Sequence, residues 1–159
     1  MPSEDLVAIM EELQARVRNA LQAMFPDRTP DVQELTARAE QRVLPYGRVG
    51  ITEVGHSDFT ISSDSLLVSV QVIAVVPVQD GSPQATQFRL ARLLHEALLG
   101  SRYEETLLPL PSGRVARLLP TVRTAFLSDV EQMLAERLPD ATSVVMTMGV
   151  ELPLGGQVF

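Results

Sequence analysis

The stretch HEALL, residues 95–99, is where a zinc protease would be sought, because such a site sets a histidine, a glutamate and a second histidine on one face of a helix. Position 99 is Leu99, so the second ligand is missing, and His95 reads as a partly exposed helix residue. GHSD, residues 55–58, supplies a histidine, a hydroxyl and a carboxylate. Consecutive positions do not build a triad, whose members meet through the fold, so these read as turn residues. The turn QDGSPQATQ lacks the glycine spacing and the lysine of a phosphate loop, and PLGGQVF has glycines with no helix after them. Glu104 and Glu105 are neighbours in an exposed stretch and read as a solvated charge pair rather than a catalytic pair of carboxylates. His56 and His95 stand far apart in sequence, which argues against a histidine metal site. No catalytic residue, cofactor or metal is expected.

The composition narrows the classes further. The chain has 159 residues, a length suited to one domain, and its 45% hydrophobic content argues against wholesale disorder. With no tryptophan and only 4% aromatic residues, the core must be aliphatic and stacking platforms for single-stranded nucleic acid are scarce. A net charge of −7 and a pI near 4.8 argue against binding a phosphate backbone, since that affinity comes from neutralising cations. Cysteine is absent, which removes disulfides and thiolate chemistry and leaves the redox compartment open. All 13 basic residues are arginine. Planar guanidinium groups suit protein interfaces, and codon bias in a GC-rich genome accounts for the same pattern. The acidic start MPSEDLVAIMEEL does not resemble a basic secretory leader, so synthesis in the cytoplasm is expected.

The elements that would carry any site follow from periodicity. Leu6, Ile9, Leu13, Val17, Leu21 and Met24 recur at spacings of three and four after Ser3, Glu4 and Asp5, predicting an amphipathic helix that Ser3 caps. After FPDRTP, the stripe Val32, Leu35, Ala39 and Val43 predicts a second, weaker helix with Pro30 in its first turn. Glu12 with Arg16, and Glu34 with Arg38, have the i,i+4 order of solvated helix faces. RVGITEV and DFTIS read as a small antiparallel ribbon feeding the main sheet.

LLVSVQVIAVVPVQDG, residues 66–81, is the centre of the chain. Its uncharged run is too short to span a bilayer, which takes roughly 20 residues. Leu66, Val68, Val70, Val72, Ala74 and Val76 alternate onto one wholly apolar face, so a long strand is expected to meet helices there and to weaken at Pro77. A tight turn and a helix follow, with Ser82 as cap, Pro83 in the first position and Gly100 at the end. Its inner stripe is read as Phe88, Ala91, Leu94 and Leu98, widened by Leu90 and Ala97. YEETLLPLPSG reads as an exposed loop, RVARLLPTVRTAFL as a strand interrupted at Pro120, and the stretch from Ser128 as a short helix. SVVMTMGVELPL returns to strand, with Val144, Met146, Met148, Val150 and Leu152 on one face. The expected architecture is a single α/β (α+β) domain, with a mainly antiparallel or mixed central sheet flanked by helices. It divides into a helical part at 1–45, a sheet with packed helices at 46–154 and a flexible tail at 155–159.

Taken together, the amphipathic first helix, the ribbon, SLLVSVQVIAVVPV, the tight turn, the RLARLLHEALLG helix and the late strand resemble the small tail-terminator and tail-completion proteins of long-tailed bacteriophages. The resemblance spans roughly residues 5–100 and 140–154. It implies a homo-oligomeric ring, a hexamer, that caps the tail tube, ends its polymerisation and joins it to the head connector. The implied partners are further copies of the chain, the tail tube protein and the head–tail connector protein, with no nucleic-acid sequence recognition and no membrane. The implied location is the virion tail or neck, after synthesis in the host cytoplasm. The second helix and residues 104–141 stand as additions to that pattern. Candidate subunit or partner contacts are Gln79, Asp80, Arg102, Tyr103, Glu104, Glu105, Gln157 and Phe159. Two other classes fit the same composition: a peptide-binding adaptor or assembly chaperone that adds a strand to its sheet edge, and a small enzyme with a site built from scattered carboxylates.

Overall fold

In the computed structural model, residues 2–35, 44–56, 65–100, 106–125 and 141–153 are described. The elements run α1 (Pro2–Met24), β1 (Asp31–Glu34), β2 (Tyr46–His56), β3 (Ser65–Pro77), α2 (Pro83–Leu99), β4 (Leu107–Pro109), β5 (Val115–Ala125) and β6 (Ala141–Pro153). The strands form one six-stranded sheet in the order β1-β2-β3-β6-β5-β4. β1 runs parallel to β2 and every other neighbouring pair is antiparallel. The sheet is therefore mixed, and the fold is α+β.

The valine-rich strand occupies the middle of the sheet because its alternation gives it an apolar face from end to end. Val68, Val70, Val72, Ala74 and Val76 are buried, and β6 sets Val150, Met148, Met146 and Val144 directly opposite the first four. Both helices close over this face. Ile9, Leu13, Val17 and Leu21 of α1 and Leu90, Ala91, Leu94 and Leu98 of α2 join these residues in one core cluster. Each large aliphatic side chain so buried contributes about 1.5–3 kcal/mol. β3 ends at Pro77, which has no N–H for the ladder. α2 begins and ends as its sequence predicts: Ser82 Oγ accepts from the Ala85 N–H at 3.2 Å, Pro83 follows, and Gly100 closes the helix with φ 78°.

Several local expectations are corrected. The weak second helix is replaced over Asp31–Glu34 by strand β1, which pairs with Tyr46–Val49. Val32 turns into the core beside Gly47, and Asp31 is tied to Arg48, so sheet pairing outweighs the helical spacing. Leu35 likewise donates its N–H to the Val49 carbonyl, while Ala39 and Val43 lie outside the described residues. RVGITEV belongs to β2 and pairs with the long strand itself, and DFTIS lies outside the described residues.

Phe88 is not in the core; it is 54% exposed. The buried stripe of α2 takes in Thr86 and Gln87 instead, because both are held by polar partners: Thr86 by Gln79 and Gln87 by the Ser143 carbonyl at 3.0 Å. Ser3 lies inside α1 rather than capping it. Part of YEETLLPLPSG is strand: β4 forms a hairpin with β5 through Gly113, at φ 88°, and buries Leu108 and Leu110. β5 does shift register between Leu118 and Val122, around Pro120. The stretch from Ser128 lies outside the described residues.

Candidate functional site

The QDGS turn that joins the central strand to α2 holds the first of the proposed contacts. Asp80 and Gly81 have φ of 55° and 71°, the left-handed pair that a tight primed turn requires. The Ser82 N–H returns to the Gln79 carbonyl at 3.2 Å. Thr86, fully buried, accepts from the Gln79 N–H at 2.9 Å and so ties the first turn of the helix to the strand end. The side-chain amide of Gln79 reaches the Met24 carbonyl at 3.5 Å, at the end of α1, and its oxygen accepts from Arg89. Gln79 thus spends its polar groups inside the molecule, whereas Asp80 points outward with its side chain 84% exposed and Arg89 3.6 Å away. The structure brings Gln79 and Asp80 together. Arg102, Tyr103, Glu104, Glu105, Gln157 and Phe159 lie outside the described residues.

A shallow open groove of about 520 Å³ separates the helices and is lined by Glu12, Arg16, Asn19, Glu96 and Ala97. Arg16 crosses it: its Nε meets Glu12 at 3.1 Å and its guanidinium donates to the Leu98 carbonyl at 2.6 Å. A cation on the last carbonyls of a helix satisfies groups the helix leaves open and complements its dipole. The Glu12–Arg16 pair is present, but Arg16 does not lie on the solvated face that its spacing suggests: its side chain is 13% exposed and fixes the helices to each other. His95 is half-buried, and desolvation lowers its pKa, favouring the neutral imidazole. On the same helix Glu96 pairs with Arg92 at 3.2 Å and Leu99 is buried. Among the described residues no group of three His, Asp or Glu side chains lies close enough to hold a metal ion.

Two polar clusters escaped sequence reasoning. Asp5, fully buried, accepts from Ser112 Oγ at 2.8 Å and faces Arg114 at 3.7 Å, joining the start of α1 to the β4–β5 turn. Arg48, on the sheet face away from the helices, lies over the Tyr46 ring at 5.1 Å and donates to the Asp31 carbonyl at 3.1 Å. These clusters pin α1 and the edge strand β1. Their signal, an acid in a helix's first turn and an arginine in a strand, is too common to be found without the fold. Among the described residues, the large apolar side chains left exposed are Val7, Val54, Phe88, Leu107 and Val115. Leu107 and Val115 belong to the hairpin at the β4 edge, and Val7 and Phe88 to the two helices. No helix among the described residues is long and apolar enough to cross a membrane.

No protein-family model matches the chain. No curated protein matches it either. Solved structures do. One chain, named only by a sequence identifier, is similar at 16% identity over 96% of this chain and 97% of its own, with a TM-score of 0.52. A chain from the virion of a native gene transfer agent particle is similar at 13% identity over 89% of this chain and 95% of its own, with a TM-score of 0.48. The first likeness shows that the fold recurs nearly end to end in another protein.

Proposed function

We propose that the protein is a structural virion subunit that assembles into a homomeric ring, a hexamer, on the end of a phage tail tube, stops its polymerisation and presents a surface to the head connector. The observation that carries this reading is the order and packing of its elements: an amphipathic helix, a long central strand, a tight turn, a second helix and a late strand laid beside the central one. That is the order on which the resemblance to tail-terminator and tail-completion proteins rests. The exposed apolar side chains of Val7 and Phe88 on the helices and of Leu107 and Val115 at the β4 edge are positions that an assembly contact would cover. In this reading the protein is made in the host cytoplasm and ends in the tail or neck. Asp80, with Arg89 of α2 3.6 Å away, and Arg102, Tyr103, Glu104, Glu105, Gln157 and Phe159 are proposed contacts to neighbouring subunits or the tube.

Native mass spectrometry tests the first step, with a closed oligomer of identical chains expected. A monomer at every concentration would favour the second reading, a peptide-binding adaptor. The observation behind that alternative is the edge strand β4, only 3 residues long with Leu107 61% exposed, which an extended segment of another protein can lengthen.

A further inference from the structure

We propose that the subunits meet head to tail through two unlike helix faces, with Phe88 and Arg92 of α2 in one copy seated against Val7 and Glu11 of α1 in the next. This contact rests on the ring reading above and names the surfaces that would build it. Val7 and Phe88 are 49% and 54% exposed, although most large apolar side chains of both helices are buried. Each stands one helical turn before an exposed charge: Glu11 follows Val7 and Arg92 follows Phe88, both at i,i+4. Residues four apart share a face and are about 6 Å apart along the axis. Two helices packed in parallel therefore set Val7 against Phe88 and, one turn on, Glu11 beside Arg92.

The match is one of charge as well as spacing. The α1 face is acidic, with Glu4 and Glu11 exposed on either side of Val7. Around Phe88 the α2 face presents Arg89 and Arg92, with side chains 45% and 82% exposed, paired within the chain to Asp80 and Glu96. The Arg92 pair with Glu96 is exposed, and such pairs contribute little, so Arg92 can change partner at small cost. Glu11 has no ion pair among the described residues. Both apolar groups stay about half exposed in the single chain. An aromatic and an arginine are the side chains most often found to anchor interfaces. Because the two faces differ, the contact is heterologous, the type that builds a ring when its rotation closes and does not stop at a two-fold dimer.

The chain has no cysteine, which makes the test clean. Val7→Cys and Phe88→Cys proteins are prepared separately, mixed and oxidised. In parallel, native mass spectrometry follows assembly of the wild-type chain, Phe88→Ala, Arg92→Glu and the double variant Glu11→Arg/Arg92→Glu. The expected results are a mixed disulfide dimer and a roughly tenfold rise in the concentration needed for assembly of Arg92→Glu. The double variant should recover most of that loss, with the far-ultraviolet circular dichroism of all variants unchanged. A wild-type ring that persists undiminished in Phe88→Ala and Arg92→Glu, with no mixed disulfide, overturns this contact and leaves the ring reading intact. A wild-type chain that stays monomeric overturns both.

Discussion

The carboxylate of Asp5 accepts a 2.8 Å hydrogen bond from Ser112 Oγ across 107 residues of sequence. The first turn of α1 is thereby fastened to the turn of the β4–β5 hairpin, with Arg114 3.7 Å away as counter-charge. Asp5 is fully buried, so the pin is made in a setting where an unmatched polar group is costly.

Replacing Asp5 by Ala strands that buried polar site and should cost roughly 1–3 kcal/mol. Asp5→Asn keeps an acceptor for Ser112 and should cost less. Urea denaturation followed by circular dichroism measures both, and equal midpoints for Asp5→Ala and the wild-type chain would show that the pin carries no stability.

Val70 lies at the centre of β3 and is 1% exposed, between the Ile51 and Met148 strands and beneath the helices. Val70→Asp places an unpaired charge there, with an expected loss on the order of 4 kcal/mol. Thermal unfolding of the variant at neutral pH should show a large fall in Tm, and an unchanged Tm would sink the assignment of this face to the core.

Gly50 permits a close crossing: a Cβ built there would stand 2.4 Å from the Leu35 Cβ. Gly55, in the same strand, has nothing within 4 Å of the corresponding position. Gly50→Ala should cost about 1–3 kcal/mol through overpacking, while Gly55→Ala should be close to neutral. Parallel denaturation curves decide the matter, and equal stability of the two variants would mean that Leu35 does not pack over β2.

The pKa of His95 is lowered in the folded chain by desolvation. Below the ordinary histidine value of 6.5 the unfolded chain binds a proton that the folded chain resists, so this residue's contribution is present above that pH and is lost as pH falls through the lowered folded value. His95→Gln should remove that part of the acid sensitivity and leave stability at pH 8 nearly unchanged. Changing His56 and His95 together to Ala should leave folding nearly intact. Stoichiometric metal in the purified protein, lost in the double variant, would contradict the reading of both as non-ligands.

The central strand and its partner were legible because Val68–Val76 and Val144–Leu152 alternate cleanly, and burial on one face enforces that period in both. The ends of α2 were legible because Ser82, Pro83 and Gly100 act locally. Asp31–Glu34 was misread because four residues carry little propensity, and their state is set by pairing with β2 and by the buried guanidinium of Arg48. Phe88 was misread for a related reason: hydrophobicity alone ranks it above Thr86 and Gln87, yet those two have polar partners inside and Phe88 lies outside. Of the candidate contacts, only Gln79 and Asp80 fall among the described residues. The inward bonds of Gln79 depend on the end of α1, 55 residues earlier, which no local pattern reveals.

The most direct test of the proposed function mixes the purified protein with polymerising tail-tube subunits and images the products by electron microscopy. The account predicts that tubes stop at a limited length, each with a ring of this protein on one end, and that Arg92→Glu restores growth in proportion to its loss of assembly. Tubes that grow as long and as freely with the wild-type protein as without it, and carry no ring, would contradict the terminator role.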